Sequence, residues 1–319
     1  MRRPILRRSL LASGMAFAAT GLPFSFSRPA GASDAVLAMT HVADGVYAFA
    51  GRHDLMTAAN RGEICNVGFV VGDEAVAVVD SGGSAEEGRA LVAAVHAVTK
   101  KPIRYLINTH MHPDHVFGNA AFEDVGAIIV GHRNLPRALK SRGEFYLESY
   151  RQAMGDALMA DIRIVLPSRT IAQPEEIDLG ERKLLLTPWR PAHTDNDLTV
   201  FDRTTRTLFT GDLCFNGHIP TLDGSLKGWL GQLDGLAAID AAAAIPGHGP
   251  VPAAWPAALE PERRYFEVLA ADIRQAIAKG IPISEASMVA AKSERSNWQL
   301  FDEHNARNAT AAYAELEWE

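Results

Sequence analysis

The stretch NTHMHPDH, residues Asn108–His115, directly follows IRYLI, residues Ile103–Ile107, which has the β-branched and apolar composition of a strand. Three histidines and one aspartate fall within six residues of this stretch, although the whole chain of 319 residues has only 11 histidines. Imidazole nitrogens and carboxylate oxygens are the ligands that zinc and similar divalent metals accept. The stretch therefore predicts a metal site at the end of a strand.

Three further candidate ligands each lie just after another predicted strand. His193 follows ERKLLLTPWRPA, Asp212 ends RTLFTGD, and His248 lies in PGHGP after AAAAI. Strand ends line up along one edge of an α/β architecture, and sites form there. The ligands are too many for one metal and suit two. The candidates are His110, His112, Asp114, His115, His193, Asp212 and His248.

The rest of the chain alternates short apolar runs with amphipathic segments. Runs such as GVYAFAG, NVGFVVG and AVAVVD predict a meander of antiparallel strands at the start of the folded part. Residues 84–98 predict a helix that Ser84 caps, and residues 133–161 predict a helical insertion. Residues 261–279 and 284–319 have helical composition, with a break at Gly280 and Pro282 between them. The insertion and the C-terminal helices are expected to wall a cleft.

Composition narrows the possible functions. The chain is 47% hydrophobic and 22% charged, which is typical of a globular protein, and two cysteines exclude a disulfide-framework fold. The formal net charge of -7 argues against nucleic acid as a partner, because neutralising phosphates requires clustered Lys and Arg. A small-molecule substrate is therefore expected.

Residues 1–32 are predicted to be an export signal, with a basic start, an apolar stretch and small residues before a cut after Ala32. Arg7 and Arg8 begin RRSLL, which fits the twin-arginine pattern, and a general secretory signal is the alternative. This signal predicts a periplasmic or exported protein, which is expected to have no membrane span after the signal is removed. In an oxidising compartment Cys65 and Cys214 either pair or remain buried thiols.

These motifs resemble those of the metallo-β-lactamase superfamily. The resemblance rests on HxHxDH at His110–His115, AHTDND around His193, TGD ending in Asp212, and PGHG around His248. Asp80, in VVDSGG, matches an early aspartate that lies near the metals in the family. The sequence departs from the family pattern in the turn around His193, where Ala192 and Asn196 replace the usual residues.

The resemblance implies an α/β (α+β) fold, an αββα sandwich over residues 33–255, with a helical C-terminal extension over residues 256–319 packed on it as a cap. It also implies two metal positions that Asp212 bridges. The first would be held by His110, His112 and His193, and the second by Asp114, His115 and His248.

The chemistry that the resemblance implies is zinc-dependent hydrolysis of an ester, thioester, lactone or amide, in which a hydroxide on two zinc ions is the nucleophile. Asp114 is expected to carry a proton to the leaving group. An iron dioxygenase with one metal is the alternative from another enzyme class, and a β-lactamase is a further one. Asp212 disfavours the latter, because β-lactamases of this superfamily often have Cys or Ser at that position.

Two further segments, FNGHIPTLDGSLKGWL and the tail from Asn297, resemble exported metallohydrolases that are associated with periplasmic quinoprotein dehydrogenases. A functional link to such dehydrogenases is therefore expected. His218 lies in the first of these segments and is a candidate for substrate contact. The remaining histidines lack partners at ligand spacing and are expected to be ordinary structural residues, namely His41, His53, His96, His132 and His304.

Overall fold

The first of two β-sheets brings together strands from the first half of the chain. The computed structural model describes residues 37–319, and the predicted export signal lies outside the described residues. The strands of this sheet are β1 (Thr40–Ala43), β2 (Val46–Phe49), β3 (Val67–Val71), β4 (Val76–Val79), β5 (Ile103–Ile107), β6 (Ile128–His132) and β7 (Arg169–Ile171). They lie side by side in chain order. Strands β1 to β4 pair antiparallel, as the predicted meander requires, and β4 to β7 pair parallel.

The second sheet contains β8 (Glu175–Asp178), β9 (Lys183–Pro188), β10 (Leu198–Asp202), β11 (Thr207–Phe215) and β12 (Ala243–His248). Its order is β12-β11-β10-β9-β8, and only the β11–β12 pair is parallel within the described strands of this sheet. Apolar side chains from both sheets, such as Val79, Ile107, Leu186 and Phe209, form one buried cluster. The two sheets therefore pack face to face.

Helices cover the outer faces of both sheets. They are α1 (Ala85–Val98), α2 (Pro113–Val116), α3 (Asn119–Asp124), α4 (Leu135–Met159), α5 (Leu226–Leu230), α6 (Leu233–Ala237), α7 (Glu260–Ala278), α8 (Ile283–Val289) and α9 (Phe301–Leu316). Helices α1 and α3 share a buried cluster with the first sheet. Helices α5, α6, α7 and α9 share another with the end of β11. The αββα layering that the resemblance implies is confirmed.

Local signals explain the best-predicted elements. The hydroxyl of Ser84 accepts a hydrogen bond from the backbone N–H of Glu87, so α1 begins where the sequence predicts. Helix α4 fills the predicted insertion. No helix of the described residues has the length and apolar character needed to cross a membrane.

Other elements differ from the sequence prediction. Strands β7 and β8 were not predicted, because they are only three and four residues long and carry charged side chains. The helical region after residue 284 is not continuous. Ala291 and Leu300 adopt positive φ angles of 55° and 57°, which an α-helix cannot accommodate, and they separate α8 from α9.

Candidate metal centre

Four candidate ligands come from the loop after β5 and from the short helix α2. The loop begins where the backbone N–H of Thr109 donates to Oδ1 of Asp80 at 2.8 Å. Pro113 occupies the first turn of α2, where its missing N–H leaves no helical hydrogen bond unmade. This turn directs Asp114 and His115 toward the same interior space as the two histidines of the preceding loop.

The first group of side chains consists of His110, His112 and His193. Nδ1 of His112 lies 3.1 Å from Nε2 of His110 and 2.8 Å from Nε2 of His193. Oδ2 of Asp212 lies 3.3 Å from the same nitrogen of His193. Four ligand atoms therefore converge on a single position, as a metal site requires.

The second group consists of Asp114, His115 and His248, beside the first. Nε2 of His248 lies 3.2 Å from Oδ2 of Asp114, and Nε2 of His115 lies 3.5 Å from that oxygen. The other oxygen of Asp212, Oδ1, lies 3.1 Å from Nε2 of His115. All seven sequence-predicted ligands are thus brought together, and Asp212 is common to both groups.

Each of the five imidazoles has an inner nitrogen that faces the other ligand atoms and an outer nitrogen that contacts a different protein group. An outer N–H that donates to an acceptor leaves the inner nitrogen with a lone pair for a metal and fixes the plane of the ring. The hydroxyl of Thr109 donates to Asp80, so its oxygen is free to accept. The outer pairs are His110 Nδ1 with Thr109 Oγ1 (3.0 Å), His112 Nε2 with Asp223 Oδ2 (3.2 Å), His115 Nδ1 with Asp80 Oδ2 (2.8 Å), His193 Nδ1 with the Thr221 carbonyl (2.7 Å) and His248 Nδ1 with the Ile64 carbonyl (3.0 Å).

The residues present fit a metal. Nε2 of His115 and Oδ1 of Asp212 are buried and have no hydrogen-bond partner among the described residues. A buried polar atom left unpaired costs about 1–3 kcal/mol, which a cation between these two atoms would remove. The backbone also makes room for the shared carboxylate, because a Cβ at Gly247 would lie 1.8 Å from Oδ1 of Asp212.

The electrostatics of the two groups differ. Burial lowers the pKa of His193 to about 3, and it lowers the pKa of His110 well below the ordinary value. Burial also disfavours a charged His248, but Asp212 and Asp114 outweigh it and raise the pKa of His248 to about 9. His110 and His193 of the first group are therefore neutral nitrogen donors, whereas Asp212 and Asp114 make the second group attract positive charge strongly.

Asp80 lies beside the candidate ligands, as the resemblance to the family implies. Its φ of 57° is in the left-handed region, which aspartate tolerates better than most residues. In this conformation its carboxylate accepts hydrogen bonds from the backbone and hydroxyl of Thr109 and contacts Nδ1 of His115. One side chain thus joins the end of β4 to the loop that carries the ligands.

A cavity of ≈ 360 Å³ opens onto the two groups. His218 lines it and stacks on His248 with 4.9 Å between ring centroids, so the structure places this candidate at the pocket. His304 of α9 also lines the cavity, although its sequence context predicts an ordinary structural residue. Its position depends on how the C-terminal helix α9 packs against the sandwich, and no local sequence pattern predicts that packing.

Two other residues near the ligands were missed by sequence reasoning. Asp223 contacts His112, and Cys65 donates a hydrogen bond from its thiol to the carbonyl of Asp114 at 2.8 Å. Cys65 and Cys214 are both free and buried, so they are not paired in this structure. Burial raises the pKa of both thiols well above the ordinary value, which disfavours the thiolate that binds metals.

The profile of the metallo-beta-lactamase superfamily matches residues 60–248. This range contains both groups of side chains and most of the two sheets. The chain belongs to the metallo-beta-lactamase superfamily.

Solved structures with the same fold include a metallo-beta-lactamase from Pontibacter korlensis. It is 19% identical to this chain, with a TM-score of 0.54 over 67% of this chain and 92% of that one. The stereoselective inverting sec-alkylsulfatase Pisa1 from Pseudomonas sp. is 17% identical, with a TM-score of 0.66 over 87% of this chain and 50% of that one. A linear primary-alkylsulfatase from Pseudomonas sp. is 39% identical over 49 residues, which are 15% of this chain and 9% of that enzyme. The chain thus matches at most half the length of either alkylsulfatase.

Proposed function

We propose that this protein is a dinuclear zinc-dependent hydrolase of a small-molecule ester, thioester, lactone or amide. The observation that carries the proposal is the Asp212 carboxylate, which contacts both groups of ligand atoms. Its Oδ1 lies 3.1 Å from Nε2 of His115, and its Oδ2 lies 3.3 Å from Nε2 of His193 and 3.5 Å from Nε2 of His248. Two bound divalent cations would lower the pKa of a shared water toward neutrality and polarise a substrate carbonyl. Iron is an alternative metal for the same donor set.

The chain's own residues would hold these cations and handle the proton. His110 and His193 are kept neutral by their lowered pKa values and need no proton loss to bind a cation, and His112 presents Nδ1 beside them. Asp114 is the ligand carboxylate that a substrate can reach, since its side chain is 12% exposed compared with 3% for Asp212. Asp114 is therefore the group that would carry a proton to the leaving group.

The cavity suits a substrate with an apolar arm. Its volume of ≈ 360 Å³ lies in the range of small-molecule sites. The wall beyond the ligands is mostly apolar and comes from the loop before β3, from α4 and from the end of β11. Its apolar and aromatic residues include Leu55, Met56, Ile64, Tyr146, Tyr150 and Phe215.

An alkyl sulfate is a second candidate substrate. Two relatives are named as alkylsulfatases, and the apolar wall would accommodate an alkyl chain. A β-lactam is the third, because other relatives with this fold are named metallo-beta-lactamases. A single-iron dioxygenase remains the alternative outside hydrolysis, and it would leave one of the two groups without a cation.

The test combines metal analysis with a substrate panel. We expect two zinc ions per chain and hydrolysis of one class among lactone, thioester, aryl ester, alkyl sulfate and β-lactam substrates. His112→Ala should lower both metal content and turnover by orders of magnitude, and His96→Ala, on the exposed face of α1, should change neither. One iron per chain with oxygen consumption would replace this proposal by the dioxygenase, and full activity in His112→Ala would exclude both.

We also propose that the protein is exported and acts beside periplasmic quinoprotein dehydrogenases. Support comes from the signal-like residues 1–32 and from the segments that resemble such metallohydrolases. Replacing Arg7 and Arg8 by Lys should retain the protein in the cytoplasm when cell fractions are compared. Unchanged export in that variant would favour the general secretory route.

A further inference from the structure

Asp223 connects a candidate metal ligand to three separate segments of the chain. It lies in the loop between β11 and α5, and its backbone N–H donates to the carbonyl of His193 at 3.0 Å. Its Oδ2 lies 3.2 Å from Nε2 of His112 and accepts a hydrogen bond from Arg142 of α4. Its Oδ1 accepts a hydrogen bond from Arg307 of α9 at 3.2 Å.

His112 depends on this contact more than the other imidazoles depend on theirs. Its side chain is 15% exposed, whereas those of the other four candidate histidine ligands are 4% exposed or less. The other four outer nitrogens contact backbone carbonyls or the buried Thr109 and Asp80. Packing therefore restrains His112 least, and the Asp223 carboxylate is the group that orients its ring.

The two arginines make it possible for Asp223 to remain charged in this position. The Asp223 side chain is only 13% exposed, and a carboxylate with so little solvent contact is costly unless it is paired. The side chains of Arg142 and Arg307 are 42% and 64% exposed, so neither cation has to be fully buried to pair with this carboxylate. Both arginines come from helices outside the two sheets, and Arg307 also lines the cavity.

We propose that Asp223 is a positioning residue that sets the orientation and tautomer of His112, and through it the cation affinity of the first ligand group. Arg142 and Arg307 hold this carboxylate in place, so α4 and α9 contribute to a metal position that they do not themselves supply with ligands. The inference rests on the metal-binding part of the proposed function and not on its substrate.

The effect of removing Asp223 can be estimated. Loss of a carboxylate that orients a metal-binding histidine lowers metal affinity by roughly 10- to 100-fold. Asp223→Ala removes both the acceptor and the charge and should show the full loss. Asp223→Asn keeps an oxygen that can accept from Nε2 of His112, so a smaller loss is expected.

The experiment titrates metal-free protein with Co²⁺ and records binding by calorimetry and by visible absorption. We expect two tight sites in the wild type, and one tight and one weakened site in Asp223→Ala, with a changed absorption spectrum. The matched control is Asp195→Asn. Asp195 is paired with Arg137 of α4, and its carboxylate contacts no ring of a candidate ligand. It should titrate like the wild type.

A second variant keeps the inference testable if Asp223→Ala misfolds. Arg307→Gln changes an exposed side chain, and it should weaken the same site by a smaller factor than Asp223→Ala does. Unchanged Co²⁺ affinities and spectra in Asp223→Ala and Arg307→Gln would overturn the inference. Since Co²⁺ binding needs no substrate, a failed substrate panel would count against the proposed reaction and leave this result intact.

Discussion

Oδ1 of Asp212 lies 3.1 Å from Nε2 of His115, and both atoms are buried without a hydrogen bond to any described residue. Each atom can be satisfied by a cation, and the carboxylate also reaches the neighbouring histidine group through its second oxygen. Metal binding and folding are therefore expected to be coupled in this protein.

Removal of the metals should destabilise the folded chain. A cation present at 100 times its dissociation constant stabilises the folded state by about 2.7 kcal/mol, because the unfolded chain lacks the assembled site. For a domain of this size, chelation should lower Tm by about 5 °C or more. Thermal unfolding with a chelator, then with added Zn²⁺ or Mg²⁺, checks this. Restoration by Mg²⁺ as effective as by Zn²⁺ would contradict a nitrogen-rich site.

Gly247→Ala should lose metal. The added methyl group would overlap Oδ1 of Asp212 and come within 3 Å of the neighbouring backbone, so the shared carboxylate must rotate away. Metal content after dialysis should fall below one ion per chain. Gly235→Ala is the control, because its Cβ would meet only Trp189 at 3.9 Å. Full metal content in Gly247→Ala would show that the carboxylate does not need this position.

Asp80→Asn should weaken the second metal position by roughly 10- to 100-fold, because the residue orients the ring of His115. Asparagine tolerates the left-handed backbone at this position, so the variant removes the charge with little backbone strain. Calorimetric Zn²⁺ titration measures the change. Asp73→Asn changes an exposed aspartate in the turn between β3 and β4, and it should leave both affinities as they are. Equal losses in the two variants would point to a general charge effect.

Glu262→Gln should stabilise the protein increasingly as the pH rises. Glu262 is fully buried in α7, its carboxylate has no hydrogen-bond partner of good geometry among the described residues, and burial raises its pKa well above the ordinary value of 4.5. The folded state therefore binds the proton more tightly than the unfolded chain, and the wild type loses stability as pH rises from about 4.5 toward the folded pKa.

The glutamine variant has no such proton to lose. Its gain over the wild type should be small near pH 5 and about 1 kcal/mol or more near pH 8, measured by urea unfolding at both pH values. Glu260→Gln, an exposed residue in the same turn, should show no such pH dependence. A gain that is the same at both pH values would indicate that Glu262 is ionised in the folded protein.

Much of the fold and the ligand set follow from local patterns. The loop after β5 and the short helix α2 carry four candidate ligands within six residues, and His193, Asp212 and His248 lie in or just beyond later strands. Ser84 marks the start of α1 by its capping bond, and Val-rich runs mark the central strands. These signals are readable because each arises between residues that are close in the chain.

The surroundings of the ligands were decided only by the tertiary structure. Asp223 contacts His112 although the two residues are 111 positions apart in the chain. The thiol of Cys65 contacts the Asp114 carbonyl at a separation of 49 positions. His304 reaches the cavity because α9 packs back beside the ligands, and Gly247 matters only because β12 lies against β11. The sequence by itself determined which side chains are candidate ligands and which strands place them. Which groups orient those side chains and wall the cavity depends on packing between distant segments. Hydrophobic burial drives that packing, but the apolar pattern of one segment does not specify which distant segment it packs against.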